Sequence, residues 1–151
     1  MVDKKDYIAK NFSKMWSNII SDLREKNGCI IVEGKHDKDV LLMLNVPQSR
    51  IVIIGSRKLD DVSEYVSQNF ELAYLFLDKD FRGRLKEFFL RKKLANSIPV
   101  LSIWEYLFQR LGKFGFKSIR KVEEFRSLAM LIHEKEHSFI RSLRKKFCIK
   151  F

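Results

Sequence analysis

Three short runs, Cys29-Ile-Ile-Val32, Arg50-Ile-Val-Ile-Ile54 and Leu72-Ala-Tyr-Leu-Phe-Leu77, dominate the first half of the chain. Each is strand-sized, rich in β-branched and aromatic residues, and almost free of polar side chains. A strand with one wet face alternates polar and apolar residues; a continuous apolar run belongs to a strand covered on both faces. Helix-length segments separate the runs, Asp37 to Leu44 and Leu59 to Phe70. Strand, helix, strand at this spacing predicts a parallel sheet with right-handed crossovers, an α/β fold. Ile98-Pro-Val-Leu101, beyond a basic helix over Arg84 to Leu94, is read as a fourth short strand.

Before the first strand, Ile8, Phe12, Met15, Trp16, Ile19, Ile20 and Leu23 recur every three or four residues, predicting an amphipathic helix over residues 5–26 that ends at Asn27-Gly28. In the helix over Leu59 to Phe70, Val62, Tyr65, Val66 and Phe70 are expected to face inward; in the basic helix, Leu85, Phe88, Phe89 and Leu94. Residues 102–151 read as two helices broken at Gly112-Lys-Phe-Gly115. No linker, repeat or second core appears. The 151 residues are therefore expected to form a single domain, 1–151: an N-terminal helix (1–27), a core (28–103) and a helical extension (104–151).

Charge divides the chain. Residues 1–80 carry 12 basic and 13 acidic side chains, whereas residues 81–151 carry 18 basic and 6 acidic. The whole net charge of +11 comes from the second half. A one-sided excess of this kind points to a polyanionic partner, nucleic acid before an acidic membrane surface. Hydrophobic content of 46% and only eight Gly and Pro residues exclude a disordered or collagen-like chain. No apolar run approaches the roughly 20 residues that span a bilayer. The polar start and the two distant cysteines, Cys29 and Cys148, lead to the expectation of a cytoplasmic protein with reduced thiols and no membrane partner.

In a parallel α/β sheet, ligands bind beyond the C-terminal ends of the strands. The first strand ends in Glu33-Gly34, the second in Gly55, and the third in Asp78-Lys79-Asp80. Topology brings three carboxylates to one edge. If the third strand stays extended, positions i and i+2 point the same way, so that Asp78 and Asp80 face one ion together. Carboxylate oxygens in a site open to phosphate suit Mg²⁺ or Mn²⁺. Gly34 and Gly83 would allow a tight turn and close approach of a phosphate. The plainer reading of Asp-x-Asp-x-x-Gly is a helix cap and turn.

Val32-Glu33-Gly34-x-x-Asp37, followed by Leu77-Asp78-Lys79-Asp80-Phe81-Arg82-Gly83-Arg84, resembles the toprim domain. That domain is shared by topoisomerases, bacterial-type primases, overcoming-lysogenization-defect-type nucleases and the ribonucleases that mature ribosomal RNA. The resemblance covers residues 28–103. It implies a Rossmann-like core of about four parallel strands flanked by helices. It also implies Glu33 as the general acid/base and metal ligand, and Asp78 and Asp80 as the remaining ligands of Mg²⁺ or Mn²⁺. Arg84 after the motif glycine is closer to the primase ending. Among toprim proteins the chain is most similar to the small group related to the ribosomal-RNA-maturing ribonucleases.

These readings lead to an expected metal-dependent phosphodiester cleavage of RNA, structured or ribosomal, with a ribosomal protein as a possible further partner. Arg82, Arg84 and Lys35 would contact phosphates near the acids. Farther along, Lys113, Lys117, Arg120, Lys121, Arg144, Lys145 and Lys146 would extend the nucleic-acid contact, with Phe114 and Phe116 available either to stack on bases or to fill the core. Two other functions fit the same residues: a non-catalytic RNA-binding or ribosome-associated protein, and a primase-like nucleotidyl transferase. His133-Glu134-Lys135-Glu136-His137 matches a zinc-protease signature. A catalytic zinc needs a third protein ligand, and residues 138–151 contain no Asp, Glu or His.

Overall fold

A computed structural model of the chain describes residues 4–111, 119–134 and 141. Helix α1 (Lys4–Glu25) leads into strand β1 (Gly28–Val32), helix α2 (Lys35–Met43), a 3-10 turn (Gln48–Arg50), strand β2 (Ile51–Ile53), helix α3 (Leu59–Asn69) and strand β3 (Leu72–Leu75). Helix α4 (Phe81–Leu94), strand β4 (Val100–Ser102) and helix α5 (Ile103–Leu111) follow; a 3-10 turn (Val122–Phe125) then runs into a helix over residues 126–134. The four strands form one all-parallel sheet in the order β2-β1-β3-β4. The expected α/β architecture is thus present.

Alternation along the strands builds two apolar layers. Ile30, Val32, Leu72, Tyr74 and Phe76 face one side of the sheet, where α1, α2, α5 and the Val122–Phe125 turn cover them. Cys29, Ile31, Val52, Ala73, Leu75 and Leu77 face the other, against Val62 and Val66 of α3 and Leu90 and Leu94 of α4. The N-terminal helix and the C-terminal extension share one core with the sheet. Phe12 stacks on both Trp16 and Phe125, at centroid distances of 5.5 and 5.6 Å, and Phe76 meets Trp104 and Phe125 edge-on. Trp16 donates its indole N–H to the Leu44 carbonyl at 2.9 Å, joining α1 to the end of α2.

Several local expectations are corrected. The left-handed residue after α1 is Asn27 (φ 50°), not Gly28. Gly28 opens β1, where a Cβ would lie 3.2 Å from the Leu23 side chain, so glycine serves close packing there. Tyr65 is exposed rather than inward. On α4 the inward face is Gly83, Leu90 and Leu94, whereas Leu85, Phe88 and Phe89 are exposed. Positions 83, 90 and 94 fall within an arc of about 40° around a helix, and 85, 88 and 89 fall on the far side. Gly112-Lys-Phe-Gly115, Cys148 and the histidine at position 137 lie outside the described residues. No described helix is long and apolar enough to cross a membrane.

Candidate functional site

In this strand order β1 connects outward to β2, and the chain then crosses over to β3 on the other side of β1. The point where successive connections diverge lies between β1 and β3, the usual crevice for ligands in open parallel sheets. Glu33 follows β1, and Asp78 and Asp80 follow β3. The backbone fixes each position. The Glu33 carbonyl accepts the N–H of Gly55 at 2.9 Å, with Gly55 in the left-handed region (φ 57°) that glycine favours. Asp37, in the first turn of α2, accepts the Gly34 N–H at 3.2 Å.

Asp78 and Asp80 have separate backbone tasks. β3 ends at Leu75, and residues 79–80 bend into α4, so the extended i, i+2 alignment does not apply. Asp80 caps α4, its Oδ1 accepting the Gly83 N–H at 2.7 Å. Asp78 Oδ1 accepts the Val122 N–H at 3.0 Å, capping the distant 3-10 turn. Beside it the Lys79 N–H donates to the Arg120 carbonyl at 2.6 Å. The two bonds latch the extension onto the loop after β3.

The acids nevertheless feel one another. Burial raises the pKa of Glu33; Lys86 pulls it back, and Asp78, Asp80 and Asp37 push it up further. Asp37 is raised likewise, by burial first, then by the negative charge of Asp78, with the Gly34 N–H opposing. Glu33 Oε1 is buried and has no hydrogen-bond partner among the described residues. A buried carboxylate oxygen without a donor, amid like charges, is costly unless a proton or cation joins it. All the donors are carboxylate oxygens, the type Mg²⁺ and Mn²⁺ prefer, and Mg²⁺ commonly takes one or two carboxylates with water and phosphate completing its shell. The residues fit such an ion in that open form. Among the described residues no group of three ligating side chains stands ready-assembled for a metal.

Basic residues flank the acids along the chain and across the latch. Arg82, Arg84, Arg120, Lys121 and Lys35 are exposed or half-buried. Lys79 lies close enough to Arg84 and Arg120 that, after burial, their charges lower its pKa further, and its Nζ sits 4.4 Å from the centre of the Trp104 ring. Trp104 in turn donates its indole N–H to the Leu77 carbonyl. Other basic residues are occupied elsewhere: Lys93 pairs with Asp60, and Arg91 with Glu87 and Glu105. Lys113, Lys117, Arg144, Lys145, Lys146, Phe114 and Phe116 lie outside the described residues.

The glycines act differently from expectation. Gly34 is extended (φ −148°) and a Cβ there would meet nothing within 4 Å among the described residues, so no tight turn requires glycine; it leaves open space beside Glu33. Gly83 is needed against protein rather than phosphate, because a Cβ would fall 1.9 Å from the Asp78 carbonyl oxygen. Sequence reasoning leaves Asp37 in a motif without a role and passes over Lys79, Lys86, Trp104 and Glu123. Lys79 is visible between the two aspartates; Glu123, which adds to the charge on Asp37, is brought in only by the latch.

No family model matches the chain. It is 41% identical over 66 residues to UPF0292 protein PF1724 of Pyrococcus furiosus, a match spanning 44% of this chain and 49% of that protein. The chain thus covers about half the length of the curated relative it matches. A solved structure of an Aquifex aeolicus protein superposes with a TM-score of 0.59, covering 74% of this chain and 95% of that one at 19% identity. At that identity the likeness speaks for the fold alone.

Proposed function

We propose that the chain is a small toprim-type protein that binds structured RNA and cleaves phosphodiester bonds with Mg²⁺ or Mn²⁺. The observation that carries this reading is Glu33, whose buried Oε1, without a hydrogen-bond partner among the described residues, stands at the β1/β3 crevice among the charges of Asp78, Asp80 and Asp37. Glu33 takes up a proton more readily than an ordinary glutamate, which suits it to exchange one with water or a leaving oxygen. Arg84, Arg120 and Lys79 offer positive charge to the phosphate beside the acids. Gly34 leaves the approach to Glu33 open. Asp37 and Asp78 hold the negative field that would retain the cation. A bound divalent ion would supply charge neutralisation at the phosphate and a more acidic water. A cytoplasmic setting and a ribosomal RNA belong to the same proposal.

One observation favours a second reading, a non-catalytic RNA-binding protein of the same fold. Oδ1 of Asp78 and Oδ1 of Asp80 each accept a backbone N–H, so both carboxylates already have structural work. The deciding experiment incubates a structured RNA with Mg²⁺ and wild type, Glu33→Gln or Asp80→Asn protein. Cleavage by wild type that is lost in Glu33→Gln supports the enzyme. Equal product from all three, or binding without product, removes it.

A further inference from the structure

Helix α5 and the loop after β3 enclose a cleft between them. Lys79, Trp104, Glu105, Phe108 and Gln109 line an open cleft of about 270 Å³. Phe108, one helical turn beyond Trp104, is 60% exposed at its mouth. Trp104 is almost fully buried, held by its N–H bond to Leu77 and by Phe76 and Phe125, so the cleft has a fixed aromatic wall. The ammonium of Lys79 lies over that wall. An exposed aromatic ring, a cation and two hydrogen-bonding side chains in one cleft are the parts that hold an unpaired nucleotide: a face for the base, a charge for the phosphate, polar groups for the base edge.

We propose that this cleft binds one unpaired nucleotide of the RNA, its base on Phe108 and its phosphate toward Lys79. The inference rests on the phosphodiester reading of the neighbouring acids and names the strand form that site receives. Lys79 lies between Asp78 and Asp80 in the chain, so the cleft is walled in part by the same loop that carries the two carboxylates. Charge complementarity favours a nucleic acid over an apolar occupant, because Arg84 and Arg120 add positive charge around Lys79. Glu105 and Gln109 supply an acceptor and an amide to the edge of the base, at the rim of a cleft whose exposed lining is mainly apolar, as a stacked base face requires. A duplex, with its bases stacked and paired, offers no free face to Phe108.

The test measures fluorescence anisotropy of two labelled probes, a short single-stranded polyuridine and an RNA duplex of equal length, in EDTA so that no cleavage intervenes. Wild type is expected to bind the single strand more tightly than the duplex. Phe108→Ala should weaken single-strand binding roughly tenfold, in keeping with the worth of one stacked base, and leave duplex binding unchanged. Phe108→Trp should restore it. Circular dichroism confirms that the variants fold, since Phe108 is at the surface. Unchanged affinity in Phe108→Ala, or equal loss for both probes, overturns the cleft. Normal Phe108-dependent binding without Mg²⁺-dependent cleavage would leave the cleft standing and sink the enzyme; cleavage indifferent to Phe108→Ala would do the reverse.

Discussion

A Cβ on Gly83 would lie 1.9 Å from the backbone oxygen of Asp78. The first turn of α4 therefore rests directly on the peptide that positions the acid, and the Gly83 N–H completes the contact by bonding to the Asp80 carboxylate. Gly83→Ala is expected to push α4 away from the loop. An overpacked contact of this kind costs about 1–3 kcal/mol. Urea denaturation should show that loss, and any cation binding at the acids should weaken with it. An alanine variant as stable as wild type would mean that the helix and the loop separate freely.

Asp78 carries two roles that substitution can separate. As an acceptor it holds the Val122 N–H; as a charge it raises both Glu33 and Asp37. Asp78→Asn keeps an acceptor oxygen and removes the charge. It should preserve the latch while abolishing the response of the protein to Mg²⁺. Asp78→Ala leaves the N–H without its partner, at a cost of about 1–3 kcal/mol. Hydrogen exchange at the Val122 amide should accelerate in the alanine variant and stay slow in the asparagine variant. Identical exchange in the two would deny the latch.

The crowding of carboxylates makes stability depend on pH in a stated direction. Glu33 and Asp37 bind protons more tightly folded than unfolded, because both are raised above their ordinary 4.5 and 3.8. Between the unfolded and the folded values the native state holds more protons, so this contribution to stability grows as pH falls through that window and flattens below the unfolded values. In EDTA, melting temperature should rise on mild acidification from neutral pH, against the usual course for ion-paired carboxylates. Glu33→Gln should shrink the rise without removing it, since Asp37 remains. Mg²⁺ at neutral pH should stabilise wild type more than Glu33→Gln. A wild-type melting temperature that falls over the same acid range would refute the electrostatic account.

Much of this is legible in the residues. Continuous apolar runs announce a parallel sheet covered on both faces, and the Asp78 and Asp80 pair falls at its C-terminal edge because strand ends are set by where those runs stop. Less visible is how α4 turns. Its apolar residues, Leu85, Phe88, Phe89 and Leu94, suggest an inward face, but the docking of Gly83 on Asp78 sets the rotation: Leu94 enters the core as expected, Leu90 joins it, and the other three are exposed. Nor does periodicity reveal that Phe12 and Phe125, far apart in the chain, stack in one core at 5.6 Å. Contacts between distant segments leave no local pattern. The latch from Asp78 to Val122 belongs to the same class, as does the arrival of Arg120 beside Lys79.

Net charge alone makes every lysine and arginine of the second half a candidate for RNA contact; ion pairing sorts them. Lys93 is held by Asp60 on α3, and Arg91 by Glu87 and Glu105. Arg84 and Arg120 are exposed beside the acids, and Arg120 contributes to the latch through backbone atoms, so its side chain can be removed without disturbing it. Deleting one side chain that neutralises a phosphate should reduce the slope of log affinity against log salt by about 0.7–0.9. Arg84→Ala and Arg120→Ala are each expected to lower the slope by roughly that amount across RNA sequences, whereas Lys93→Ala should leave it unchanged. Titrations of RNA binding at several salt concentrations give the three slopes. If Lys93→Ala matches the arginine variants, the protein binds through diffuse charge and the face around the acids has no special claim.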